Sequence, residues 1–310
     1  MTRDEIVAGA RDAIQHGSKS FRAASRLFDP VTRERAWLLY SWCRHCDDVA
    51  DGQTLGFNGG VRGKVAMLRG QTRLALAGEP PADVPFRALA QLVSECPIPP
   101  RFIEDHLDGF ALDEDGWRPR DEADLARYCY HVAGTVGAMM AIVMGVPPED
   151  SETLERAADL GIAFQLSNIA RDVREDLDNG RCYLPANWLA EAAVDPTLLL
   201  DTANRGQLVT LVARLVEAVE GYEASARAGV DKLPFRSRVA VLTALRIYGA
   251  IGRRVGALGS AAWDNRVSIG KMRKLAYVVP SLAEATFGSS PSVKSPSPRS
   301  VPQIRSQNRK

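Results

Sequence analysis

The stretch YCYHVAGTVGAMMAIVMGVPP, residues 128–148, contains no Asp, Glu, Lys or Arg. Nothing else in the chain constrains its fold so strongly, because an uncharged run approaching about 20 residues either spans a bilayer or forms a helix buried on all sides. His131, Thr135 and glycines at 134, 137 and 145 interrupt the run, and the mean hydropathy of the chain is −0.15. The expectation is therefore a buried helix in a large core. An enzyme acting on a long hydrocarbon also needs such a small-residue, apolar wall.

With 310 residues, 45% of them hydrophobic and 25% charged, the chain can build one large domain or two small ones. Apolar positions recur every three and four residues over 33–49, 125–144, 154–177, 207–228 and 238–258, which predicts helices. No strand alternation competes with them. Turn signals fall at 55–60, 78–85, 96–100, 145–150 and the Asn-Gly at 179–180. The expected architecture is all-α up to about residue 287. The remainder, 288–310, is Ser/Pro-rich and basic with no acid, and is expected to be a disordered tail.

The net charge of +1 gives no overall attraction to nucleic acid. The N-terminus lacks a secretory h-region, so a cytoplasmic protein is expected. Five cysteines in a chain of this kind argue for buried thiols rather than a disulfide framework. Cys43, His45 and Cys46 form a CxHC group, but no second ligand pair exists to complete a structural zinc site.

Local charge is more informative. In QLSNIARDVREDLDNGRCYLP, residues 165–185, the spacing puts Gln165, Asn168, Asp172 and Asp176 on one helical stripe, with Phe164, Leu166, Ile169 and Ala170 suited to burial of the other faces. Arg174 and Asp178 fall off the stripe and are expected to tolerate substitution. Like charges four apart destabilise an isolated helix by about 0.2–0.5 kcal/mol per pair, so a cation must offset them. A second cluster, YSWCRHCDDVADG, places Asp47 and Asp51 four apart, with Asp48 between them and Arg44 one turn earlier. Two such clusters opposed across a cavity would hold hard divalent cations that take their remaining ligands from a diphosphate. Arg44 and Arg171 are placed for bidentate phosphate contacts.

At these residues the chain resembles the squalene/phytoene synthase family. The resemblance is carried by HGSKSF (16–21), YSWCRHCDDVAD (40–51), YCYHVAGTVG (128–137), QLSNIARDVREDLDNGRCYLP (165–185), and a later region with Tyr248 and NRV (265–267). It implies an isoprenoid synthase fold, one domain over 1–287 around a central cavity, and head-to-head joining of two prenyl diphosphates. It further implies that Asp47, Asp48 and Asp51, with Asn168, Asp172 and Asp176, ligate Mg2+ or Mn2+. By the same resemblance, Ser18, Lys19, Ser20, Arg44, Arg171 and Arg266 hold diphosphate, while Tyr128, Gln165, Tyr183 and Tyr248 border the reacting carbons. His131 is expected to pack in the core rather than move protons.

Within the family the expected activity is that of a phytoene synthase, a transferase of carotenoid biosynthesis joining two geranylgeranyl diphosphates. Small residues at Ala24 and Ser25, one turn past Phe21, leave room for the longer chain. The polar C-terminus and lack of a dinucleotide motif argue against NADPH use. The alternatives are a dehydrosqualene or squalene synthase acting on farnesyl diphosphate, a cyclising terpene synthase, and a non-catalytic assembly factor of the same fold. A monomer is expected, with a peripheral membrane contact for hydrocarbon release and the next enzyme of the pathway as a candidate partner.

Overall fold

A computed structural model describes residues 1–17, 19–50 and 63–288, without the side chains of His16, Lys19 and Ser20. Asp51, the turn expected at 55–60, Ser18 and the tail from 289 onward lie outside the described residues. The helices are α1 (Arg3–His16), α2 (Lys19–Ser25), α3 (Pro30–Ala50), α4 (Lys64–Leu76), α5 (Val84–Glu95), α6 (Pro100–Glu114) and α7 (Glu122–Cys129). They continue as α8 (Thr135–Val143), α9 (Ser151–Asp178), α10 (Ala186–Glu191), α11 (Arg205–Gly229), α12 (Phe235–Leu258), α13 (Lys271–Ala276) and α14 (Val278–Phe287). Among the described residues there is no strand.

Local chemistry sets several of these boundaries. Thr2 and Glu5 form a reciprocal cap at the start of α1, each side chain accepting from the other's backbone N–H. Asp121 caps α7 and Asp150 caps α9, satisfying N–H groups that have no partner within the helix. At the far end of α9, Gly180 takes φ +73°, a left-handed conformation that suits glycine.

The helices pack around two large cores and a smaller third that holds Leu242 and Leu245. Trp42, Phe86, Leu89, Ile103, Leu107 and Met139 belong to one large core. Leu166, Ile169, Leu211, Leu215, Ile251 and Trp263 belong to the other. All five cysteines are free thiols; Cys43 is half-buried and the others are buried.

The charge-free run is not one α-helix. It is divided into the end of α7, a π-helical turn over Tyr130–Gly134, and α8. The wider turn directs the His131 carbonyl to the Thr135 hydroxyl, which donates to it at 2.7 Å. Among the described residues no helix is long and apolar enough to cross a membrane.

This wall packs antiparallel to α9 at unusually short range, and two glycines permit it. A Cβ on Gly137 would lie 2.1 Å from the Ala157 carbonyl oxygen, and one on Gly161 would lie 2.1 Å from the Ala133 carbonyl oxygen. Both obstacles are backbone, so no side-chain adjustment could make room. Of the glycines expected from the sequence to suit a buried wall, Gly137 thus forms the seam between two helices, with Gly161 of α9 as its counterpart.

Candidate active site

Two cavities lie along α9. The first, with a volume of about 270 Å³, is lined from α9 by Ala157, Leu160, Gly161 and Phe164. Facing residues include Val136, Gly137 and Met140 of α8. The second, about 140 Å³, is lined from the same helix by Gln165, Asn168, Ile169, Asp172 and Asp176. Asp47, Phe110, Asp113, Tyr128, Arg181 and Tyr183 complete it. Residues 157, 161, 165, 168, 172 and 176 follow one another by three or four, so a single stripe about 28 Å long runs through both cavities.

Four carboxylates, from Asp47, Asp113, Asp172 and Asp176, line the polar cavity. Burial first, and then the negative charge of Asp172, pushes the Asp176 carboxyl up to about 7. Arginines take up much of the remaining charge. Arg44 donates to Asp47 at 3.1 Å and pairs with Asp48 at 2.5 Å. Asp172 is held from two sides, by Arg171 through Nε at 2.6 Å and by Arg266 at 3.1 and 3.2 Å. Arg266 also reaches Glu175 at 3.3 Å. The α9 backbone leaves helical geometry at Asp172, with φ −98° and ψ 16°, so the helix bends where these arginines converge.

The opposite wall is an aromatic stack on one acid. The Tyr128 hydroxyl donates to Asp113 at 2.9 Å and the Tyr183 hydroxyl donates to it at 3.0 Å. The two rings stack at 5.0 Å, and Trp117 stacks on Tyr128 at 5.5 Å. Burial and the Asp113 charge raise both phenols, so neither ionises near neutrality.

The structure therefore brings together Asp47, Tyr128, Gln165, Asn168, Asp172, Asp176 and Tyr183 of the residues expected from sequence. Arg44, Asp48, Arg171 and Arg266 do not line the polar cavity, but pair with its carboxylates or with one another. Tyr248 is instead in the apolar cavity, stacked on Phe164 at 4.0 Å and 16°. Phe164 itself lines that cavity, so it does not belong to a buried outer face as its position between the polar residues suggested. Ser18, Lys19, Ser20 and Asp51 fall outside the described side chains.

Two expectations need correction. Arg174, off the stripe, is not idle: its Nε donates to the Trp263 carbonyl at 2.6 Å and fastens the segment preceding Arg266 to α9. Ala24 lines the apolar cavity, but Ser25 does not; its hydroxyl accepts from the Trp37 indole at 3.4 Å. Asp113 and Arg181 were missed. Asp113 sits in the acidic run LDEDG, which reads as a solvated helix end, and its only signal was Phe110 one turn earlier.

The donor set suits hard cations: carboxylates, one asparagine and one glutamine, with a buried acid whose ionisation a divalent ion would favour. Among the described residues, however, Asp47, Asp172 and Asp176 do not converge as a trio of ligand atoms within 4.8 Å.

An all-α enclosure with a carboxylate-lined pocket at one end of a helix and an apolar chamber at the other is the architecture of an isoprenoid synthase. The Squalene/phytoene synthase family model matches residues 14–273, and the chain belongs to that family. The 15-cis-phytoene synthase of Enterobacter agglomerans is 46% identical over 280 residues, covering 88% of this chain and 93% of the relative. The phytoene synthase of Pseudescherichia vulneris is 44% identical over 285 residues, covering 90% and 92%. Among solved structures, a dehydrosqualene synthase in complex with ligand superposes with a TM-score of 0.83 at 27% identity, covering 92% of this chain and 98% of that one.

Proposed function

We propose that this enzyme is a phytoene synthase, joining two geranylgeranyl diphosphates through a cyclopropylcarbinyl diphosphate. The observation that carries the reading is the single α9 stripe, apolar and small from Ala157 to Phe164 and polar from Gln165 to Asp176. It would seat a long hydrocarbon and its diphosphate head on successive lengths of one helix. The identity to relatives named 15-cis-phytoene synthase supports the choice of substrate.

Asp47, Asp48, Asn168, Asp172 and Asp176 are the described residues that would hold Mg2+ or Mn2+, with Asp51 completing the cluster of Asp47 and Asp48. When bound, the ions neutralise the leaving diphosphate. The chain's own residues do the rest. Arg44, Arg171 and Arg266 exchange carboxylate partners for diphosphate oxygens as the head enters. Breaking the first C–O bond leaves an allylic cation, which the double bond of the second substrate captures. Loss of one proton then closes the three-membered ring. Breaking the second C–O bond, rearrangement and loss of another proton give the hydrocarbon, two diphosphates and two protons in all. No reductant enters this balance. The stacked rings of Phe164 and Tyr248 stand where the stripe changes polarity and offer their faces to a passing cation. Apolar lining beyond them excludes water that would quench it.

Release of so apolar a product is served by the exposed face of α13 and α14. Met272, Leu275, Val279 and Phe287 are 64–86% exposed beside Lys271, Arg273 and Lys274, a composition suited to peripheral contact with an anionic membrane.

The second reading, dehydrosqualene synthesis from farnesyl diphosphate, has the structural likeness to a dehydrosqualene synthase in its favour. Purified enzyme with either substrate, Mg2+ or Mn2+ and no NADPH separates the two. A forty-carbon hydrocarbon with a central conjugated triene is expected from geranylgeranyl diphosphate. A clear preference for the thirty-carbon product would replace the assignment, and a strict NADPH requirement would point to squalene.

A further inference from the structure

Away from both cavities, Asp105 and Asp108 of α6 face His131 of the π-helical turn. One ligand atom from each lies within 4.8 Å of the others. None of the three residues lines the polar or the apolar cavity.

The hydrogen bonding fixes the state of the imidazole. His131 Nδ1 lies 2.8 Å from the Asp105 backbone carbonyl oxygen. A carbonyl only accepts, so Nδ1 carries the hydrogen and Nε2 keeps its lone pair. His131 is 8% exposed, and its Nε2 has no hydrogen-bond partner among the described residues. Metal-bound histidines have this arrangement, with one nitrogen tied to a carbonyl and the other open to the ion.

Both carboxylates are also anchored from outside. The Tyr130 hydroxyl donates to Asp105 Oδ2 at 3.0 Å, and Arg69 donates to Asp108 Oδ1 at 2.5 Å. Each anchor occupies one oxygen and leaves the other. Asp105 is half-buried and forms no ion pair among the described residues, and burial pushes its carboxyl above the usual range.

We propose that Asp105, Asp108 and His131 bind one divalent transition-metal ion that staples α6 to the π-helical turn. One imidazole nitrogen with two carboxylate oxygens suits manganese or zinc; magnesium prefers oxygen alone. Water fills the remaining positions. His131 follows Tyr128 by three residues and Asp108 precedes Asp113 by five on α6, so the staple fixes the register of the two elements whose Tyr128 and Asp113 meet at the polar cavity.

Mn2+ itself is the probe, added to the full-length protein and read by electron spin-echo envelope modulation. The ligands expected in the polar cavity are all oxygens, so a coupling to directly bonded 14N reports the His131 site alone. The coupling is expected in the wild-type protein and in Asp172→Asn, and is expected to vanish in His131→Asn. Asp108→Asn, at a half-exposed side chain whose loss spares the core, should weaken the Mn2+ affinity read from that coupling about tenfold or more. No 14N coupling at Mn2+ concentrations that fill the polar cavity, or a coupling that survives in His131→Asn, would overturn the proposal. Unchanged affinity in Asp108→Asn would do the same.

Discussion

From Ala157 to Phe164, α9 lines a chamber with small and aromatic side chains; from Gln165 to Asp176 the same face of the same helix lines one with amides and carboxylates. Opposite, the wall changes in step, from Gly137 and Met140 in α8 to Tyr128 in α7. The backbone is shared, so the difference in chemistry comes from side-chain choice along one stripe. Ionisation and chain accommodation are thereby held at a fixed distance without a separate domain for either. Substitutions at the two ends should accordingly fail in different ways.

The largest effect is expected at the polar end. Asp172→Ala removes the carboxylate shared by Arg171 and Arg266 and should lower turnover by about 10³-fold, with the helical circular dichroism unchanged. Retained activity would break the comparison at its polar side. Gly161→Ala acts instead on the seam: its Cβ would meet the Ala133 carbonyl at 2.1 Å, and the helices must separate. A loss of stability near the upper end of about 1–3 kcal/mol is expected in urea unfolding. Ala24→Phe, at the apolar end, fills part of the chamber. It should shift the preference between twenty- and fifteen-carbon substrates by about 10- to 100-fold toward the shorter, measured by competition, while metal dependence stays as it was.

The smallest effect is on pH dependence. In metal-free protein the Asp176 carboxyl is raised from 3.8 to about 7. The unfolded chain therefore releases this proton near pH 4, while the folded chain keeps it to about 7. Stability falls as pH rises between those values and the loss is complete above them. Asp176→Asn should flatten that segment of the urea-midpoint profile by about 1–2 kcal/mol, since partial exposure screens the effect. An unchanged profile would show that the polar end is more open to solvent than its neighbours indicate.

Much of this layout was legible in the chain. Helical periodicity placed 154–177 within the observed Ser151–Asp178 and 238–258 within Phe235–Leu258, because amphipathic spacing is a local property. The stripe Gln165, Asn168, Asp172, Asp176 was legible for the same reason. What spacing could not reveal depends on tertiary contact. The π-helical turn at 130–134 adds a residue to an otherwise helical pattern, so periodicity read 125–144 as continuous. Asp113 acquires its role only because Tyr128 and Tyr183, distant in sequence, converge on it. Arg174 and Ser25 were misjudged because a helical wheel tells which residues share a face and not which neighbour each face meets.

The central claim is that one helix presents the diphosphate and the hydrocarbon at successive positions. It is tested most directly by a crystal structure with Mn2+ and a non-ionising thiodiphosphate analogue of geranylgeranyl diphosphate. The account predicts anomalous manganese density beside Asp47, Asp172 and Asp176, with the chain running past Phe164 and Tyr248 toward Ala157. Manganese away from these carboxylates, or a hydrocarbon lying outside the chamber lined by Gly137 and Gly161, would contradict it.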